Sequence, residues 1–210
     1  MKLVDRDVRI LRELVRWKFL LSRHIGAFAG FYSRSRAINR RIKLLLSDGL
    51  IERRYILYGI PPIYVATNKG KKIIDANVRE ERIRVEQIQH DICVRDAVLY
   101  FHQFGIPFSD FITEKEMHQL DGFGTRKHQP DFIFSHKNKK YCIEIEISLK
   151  ATKRLMKNIQ NNFNNYDRQV WLVPSDEKRI QNIISDAQKM YTDIKLLYTE
   201  EITKYVSENY

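Results

Sequence analysis

Asp131, Glu144 and Glu146 are the residues of this chain whose type and spacing best suit chemistry. Asp131 follows Pro130 and leads into Phe132, Ile133 and Phe134, while Tyr141 to Ile147 reads Y-C-I-E-I-E-I and stops at Ser148. Both runs have the composition and alternation of strands, and His136 to Lys140 supply the turn between them. Alternate residues of a strand share a face. Ile143, Ile145 and Ile147 therefore line one side and Glu144 and Glu146 the other, about 6.5 Å apart at Cα. If the first strand folds back on the second, Asp131 joins them. Three converging carboxylates suit Mg2+ or Mn2+, hard ions that take carboxylate oxygens and complete their shell with water and phosphate. An ion so held polarises a phosphodiester and lowers the pKa of an attacking water. The bland alternative is a strand with one solvated face, where glutamate is common.

The elements around this pattern form an α/β series. Arg82 to Phe104 has helical periodicity, with Ile88, Ile92, Ala97, Val98 and Phe101 on one side. It carries His90-Asp91, readable as a metal or general-base pair, or as a tie to a neighbouring element. Gly105-Ile106-Pro107 breaks it before a strand near Phe108 to Thr113. A short helical or irregular piece carries Glu114 and Glu116, and Asp121 to Thr125 is a loop. After the Glu-x-Glu run, Ser148 is the expected cap of a basic helix. Leu149, Leu155, Ile159 and Phe163 form its apolar side, and Lys150, Lys153, Arg154 and Lys157 its charged one. Gln169 to Val173 and Ile194 to Tyr198 read as strands, Ser175 to Ala187 as a helix, and Glu201 to Ser207 as a short last helix. This order predicts a mixed sheet covered by helices.

Charge sets the first third apart. The chain carries a formal +11, and residues 1–78 alone hold 17 Lys+Arg against 6 Asp+Glu, which is the whole excess. A basic module joined to a neutral one that holds the acidic residues suggests one part that grips a polyanion and another that works on it. Asp5 to Trp17, Ser22 to Gly30 and a run capped by Ser33 predict three helices. Leu50 to Tyr58 and Ile63 to Ala66, around Gly59-Ile60-Pro61-Pro62, predict a hairpin, and Lys69 to Asn77 a further helix. Three helices and a hairpin is the order of a winged helix-turn-helix. Gly49-Leu50-Ile51-Glu52-Arg53 and Tyr64-x-x-Thr67-x-x-Gly70 resemble stretches of many such domains. The third helix turns Ala37, Ile38, Ile42, Leu45 and Leu46 inward and shows Arg36, Asn39, Arg40 and Lys43 in one stripe. That stripe would face bases or phosphates in the major groove of double-stranded DNA, with Arg34, Arg53, Arg54 and Lys71 along the backbone. A merely solvated helix face is the alternative. Residues 78–81 form the expected junction between a DNA-binding domain over 1–78 and an α/β domain over 79–210.

At 210 residues the chain can hold two modest domains. No apolar run has membrane-spanning length and the first residues lack a signal-peptide core, so a cytoplasmic location without a membrane partner is expected. Cys93 and Cys142 offer neither a disulfide framework nor a zinc quartet and read as packed thiols.

Pro130-Asp131, then Glu144-x-Glu146 at a strand end and a basic helix, resembles the restriction-endonuclease-like nucleases, whose motif is Pro-Asp followed by Asp/Glu-x-Lys. Glu146 stands where that family usually has lysine, and Lys150 or Lys153 would supply the cation instead. Taken end to end, the arrangement resembles the replication-relaxation family of plasmids and mobile elements, related to conjugative relaxases. The similarity implies metal-dependent nicking at an origin-like site, with Asp131, Glu144, Glu146 and Lys150 catalytic and His90, Asp91 and Lys153 in support. A homodimer would let such an enzyme cut both strands. The other reading is an inactive nuclease-like domain serving a DNA-binding regulator through dimerisation or partner contact.

Overall fold

The computed structural model describes residues 2–31, 35–76, 82–122, 127–148 and 151–210. The protein is a mixed α/β chain. Its first part contains α1 (Asp5–Arg16), α2 (Ser22–Phe28), α3 (Ser35–Ser47), β1 (Ile51–Arg54), β2 (Ile63–Ala66), α4 (Asn68–Ile73) and α5 (Ile88–His102). There follow β3 (Ile112–Thr113), α6 (Glu114–Asp121), β4 (Phe132–His136), β5 (Lys139–Ile145), α7 (Thr152–Asn165), β6 (Arg168–Val173), α8 (Lys178–Met190), β7 (Ile194–Tyr198) and α9 (Thr199–Asn209). The chain divides into two compact units, Met1–Ile92 with Ser207–Tyr210, and Cys93–Val206, so the division falls inside α5. The junction expected at 78–81 lies outside the described residues.

In the first unit each helix buries one stripe: Ile10, Leu11 and Leu14 from α1, Ile25 and Phe28 from α2, and Ile38, Ile42 and Leu45 from α3. Asp7 is fully buried; its carboxylate accepts the Val4 N–H at 2.9 Å and pairs with Arg41 of α3. A buried carboxylate needs that pairing to offset its lost hydration. β1 and β2 pair antiparallel from Ile51 opposite Ala66 to Arg54 opposite Ile63. Leu20 bridges Tyr64 beyond them, through main-chain bonds of 3.0 and 2.8 Å. The first strand ends at Arg54, well short of the expected Tyr58. Its partner begins only after Pro61-Pro62, which lack the N–H groups a ladder requires.

The Tyr64-x-x-Thr67-x-x-Gly70 run has a physical explanation here. Thr67 caps α4: its hydroxyl accepts the Gly70 N–H at 3.1 Å and lies 2.7 and 3.1 Å from the carbonyls of Gly49 and Leu50. Gly70 sits so close to that same turn that a Cβ on it would stand 2.1 Å from the Leu50 carbonyl oxygen. Only glycine fits there.

The second unit is built on one five-stranded sheet of order β3-β4-β5-β6-β7. β3, β4 and β5 are antiparallel, and β5, β6 and β7 are parallel. Lys137 and Asn138, with φ of 49° and 59°, make the tight turn between β4 and β5, the positive-φ pair that matches strand twist. Phe132, Phe134, Ile143, Ile145, Val170 and Leu172 share one face by register, where Phe101 of α5 lies 5.3 Å from Phe134 between ring centres. On the other face Leu155 and Ile159 of α7 and Ile180, Ile184 and Ala187 of α8 pack on Trp171 and Val173. Each such aliphatic side chain contributes about 2 kcal/mol by leaving water.

Several boundaries differ from expectation. α5 starts at Ile88, after a 3-10 turn over Val85–Gln87, rather than at Arg82. Phe108–Asp110 is a 3-10 turn, and β3 has two residues because only Phe132 and Ile133 pair with it. Ser148 does not cap α7: Ala151 holds the cap position, its carbonyl accepting the N–H groups of Arg154 and Leu155 at 3.0 and 3.1 Å. Nor does Ser175 open α8, since its N–H is taken by the Glu200 carboxylate at 3.1 Å and the helix begins at Lys178.

Candidate functional site

The acidic site grows out of the start of the β4–β5 pair. β4 begins at Phe132, opposite Ile143, so the next main-chain pairing would fall beyond Asp131. There the Asp131 carboxylate takes over, its Oδ2 accepting the Ile145 N–H at 2.7 Å while its carbonyl accepts the Glu114 N–H at 3.0 Å. Asp131 thus stands next to Glu144, close enough for its charge to act on that carboxyl.

Glu144 faces α7, on the same side of the sheet as Cys142 and Trp171. The solvated face of the bland alternative is therefore an inner one, and Glu144 is only 8% exposed. Its Oε1 lies 2.8 Å from His128 Nε2 and accepts the side-chain N–H of Asn162 at 2.7 Å. Neither bond uses Oε2. Burial raises the Glu144 pKa; the His128 bond opposes this, the charge of Asp131 adds to it, and the net result stays above the usual carboxylate range. Burial by itself would lower His128, but its bond to Glu144 and the charges of Glu144, Asp131 and Glu114 prevail and hold it above its ordinary value.

The surroundings are apolar and well tied. Cys142 packs with Met117, Ile133 and Tyr166, and burial pushes its thiol up, as befits an inert packed cysteine. Tyr166 has its ring under the Lys140 ammonium at 5.0 Å, and its hydroxyl donates to Gln129 Oε1 at 3.4 Å. Burial moves its phenol up to about 12, the opposite of what an activated tyrosine nucleophile requires. Glu146 lies one residue past β5, half-buried, its main-chain N–H on the Leu172 carbonyl at 3.0 Å. Lys153 is exposed in the first turn of α7, and Lys150 lies outside the described residues. Glu116 is committed to the cap of α6, accepting the Thr113 N–H at 2.8 Å, and Glu114 is exposed. Among the described residues no three His, Cys, Asp or Glu side chains are gathered to hold a metal ion. Asp131 and Glu144 come together as a pair of hard oxygen donors with His128 beside them.

His128 and Asn162 escaped the sequence reading. Neither stands in a motif, and each reaches Glu144 across 16 or 18 residues of chain. The only hint was the Asn- and Gln-rich end of α7.

The basic surface belongs to the first unit. Arg36, Asn39, Arg40 and Lys43 are all exposed along α3, opposite the buried Ile38, Ile42 and Leu45. Arg41, between them in sequence, points the other way and holds Asp7. Arg53 is exposed, with its guanidinium 5.4 Å from the Tyr55 ring centre, and Arg54 pairs with Glu52 on its own strand. Lys71 is half-buried and Arg34 lies outside the described residues. His90 and Asp91 are neighbours in α5, with Nδ1 and Oδ1 3.7 Å apart and both half-buried.

Compared with family models, curated proteins and solved structures, the chain matches none. Among the described residues no helix is long and apolar enough to cross a membrane.

Proposed function

We propose that this protein grips double-stranded DNA with a winged-helix module over its first unit and cleaves one phosphodiester strand at the acidic site of the second, in the manner of the replication-relaxation nucleases of mobile elements. The observation that carries the reading is the α3 surface. Four polar side chains able to meet phosphates or base edges stand exposed on a single helix, while Arg41, whose partner Asp7 is buried, is turned inward. Leu20 bridging Tyr64 adds a third extended segment beside the hairpin, as a wing needs.

The acidic site supports phosphodiester chemistry through its donor set. Asp131 and Glu144 would hold Mg2+ or Mn2+, ions that commonly take one or two protein carboxylates and leave the remaining positions to water and phosphate. Such an ion supplies charge neutralisation at the phosphate and an acidified water. The chain's own part is positional: the Ile145 N–H orients Asp131, and His128 with Asn162 fixes Oε1 of Glu144 so that Oε2 is the oxygen left to act. Glu146, Lys150 and Lys153 remain the candidates for a further carboxylate and a cation.

A second reading has its own support. A Glu144 that is buried and bonded to His128 and Asn162 is also what a structural residue would be, and then the second unit serves a DNA-binding regulator. Supercoiled plasmid bearing the cognate origin, incubated with the full chain and Mg2+ or Mn2+, separates the two. The nuclease reading expects open-circle product that vanishes in Asp131→Ala; binding without any nicking would leave the regulator.

A further inference from the structure

The loop joining β1 to β2 is an exposed aromatic tip on a fixed base. Ile56 and Ile60 turn inward onto the core made by Phe19, Leu21, Ile63 and Val65. Between and beside them Tyr58 is fully exposed, Tyr55 is 72% exposed and Leu57 41%. The Ile60 N–H closes the turn on the Leu57 carbonyl at 3.4 Å, Gly59 takes φ of 80°, and Pro61-Pro62 stiffen the return. Holding large apolar rings in water costs free energy unless something covers them. The chemistry of the flank says what does: Arg53 lies over the Tyr55 ring, and residues 1–78, which include this loop, carry the entire positive excess of the chain. A cationic flank with projecting tyrosines matches the π-face of a nucleobase beside its phosphate, not an apolar protein groove.

We infer that the Tyr55–Tyr58 tip stacks on an unpaired base of the DNA this protein binds, so that the protein prefers, and helps to open, a locally unstacked duplex. The inference rests on the DNA-binding half of the proposed function and is independent of the acidic site. Two inward isoleucines set the height of the tip, and tyrosine supplies the stacking surface. Each stacked base is expected to strengthen binding roughly ten-fold.

Two labelled duplexes test it by fluorescence anisotropy with the full chain: one fully paired, the other identical except for a short central bubble containing 2-aminopurine. The wild-type protein should bind the bubble duplex roughly ten-fold more tightly and quench its 2-aminopurine. Tyr58→Ala should lose both the preference and the quenching while still binding the paired duplex, and Tyr58→Phe should retain them. Wild-type binding of both duplexes with equal strength, or Tyr58→Ala matching the wild type, would overturn the inference alone. Loss of a dimer on sedimentation of Tyr58→Ala would also overturn it, assigning the tip to a second copy of the chain. Failure of the wild-type protein to bind either duplex would instead overturn the DNA-binding reading, and the inference with it.

Discussion

His128 Nε2 stands 2.8 Å from Oε1 of Glu144, joining the segment before β4 to the buried end of β5. Both groups have pKa values above their ordinary ones. At this pair the folded protein therefore binds protons more tightly than the unfolded chain, and the pair's contribution to stability falls as pH rises. The His128 contribution is full below 6.5, its ordinary value, and is lost as pH climbs through the raised one. Glu144 acts in the same direction from 4.5 upward, because its buried charge is penalised once it ionises. Urea unfolding over a pH series should show wild-type stability declining above 6.5, and His128→Asn should flatten that decline. A level wild-type profile would count against the pair as drawn.

Glu144→Gln keeps an acceptor for His128 and Asn162 while removing the buried charge. The variant is expected to be as stable as the wild type at neutral pH, or more so, and, under the nuclease reading, to lose plasmid nicking. His128→Ala leaves Glu144 short of one partner and should cost about 2 kcal/mol in urea unfolding.

Asp131 has two roles that substitution can separate. Asp131→Ala strands the Ile145 N–H and should cost about 1–3 kcal/mol, whereas Asp131→Asn retains an acceptor oxygen and most of the stability. Under the nuclease reading both variants lose nicking, so Asp131→Asn, stable yet inactive, is the informative one. Activity in Asp131→Asn equal to the wild type would remove this carboxylate from the chemistry.

Neighbouring arginines of α3 should behave oppositely. Arg36→Ala and Arg40→Ala remove exposed side chains and should shift stability by less than about 0.5 kcal/mol. Under the DNA-binding reading each should weaken binding and lower the salt dependence by about one counterion where it met a phosphate. Arg41→Ala leaves Asp7 buried without its partner and should cost about 3–5 kcal/mol. Equilibrium unfolding alongside binding titrations over a salt series checks both halves.

Gly70→Ala should destabilise the first unit by about 1–3 kcal/mol, since the new Cβ meets a main-chain carbonyl that cannot move aside. Thr67→Val removes the cap and the contacts to Gly49 and Leu50, and should lose about 1 kcal/mol or more. Thermal unfolding of the two variants measures both effects.

Periodicity was enough to reveal the elements. The alternation in Tyr141 to Ile147, the 3.6-residue stripes of α1 and α3, and the strand at Ile194–Tyr198 depend on neighbours in the chain, and local pattern carries that information. The outward stripe of Arg36, Asn39, Arg40 and Lys43 was legible for the same reason. Tertiary contact decided the rest. Alternation put Glu144 on the face opposite Ile143, but only the packing of α7 made that face an inner one. No pattern in sequence links His128 or Asn162 to Glu144, because side chains that meet across a sheet and a helix leave no periodic trace. Ser148 and Ser175 had the right chemistry for caps, yet Ala151 and Glu177 stand at the helix starts, because the folded chain sets where each helix can begin and side-chain type only biases it.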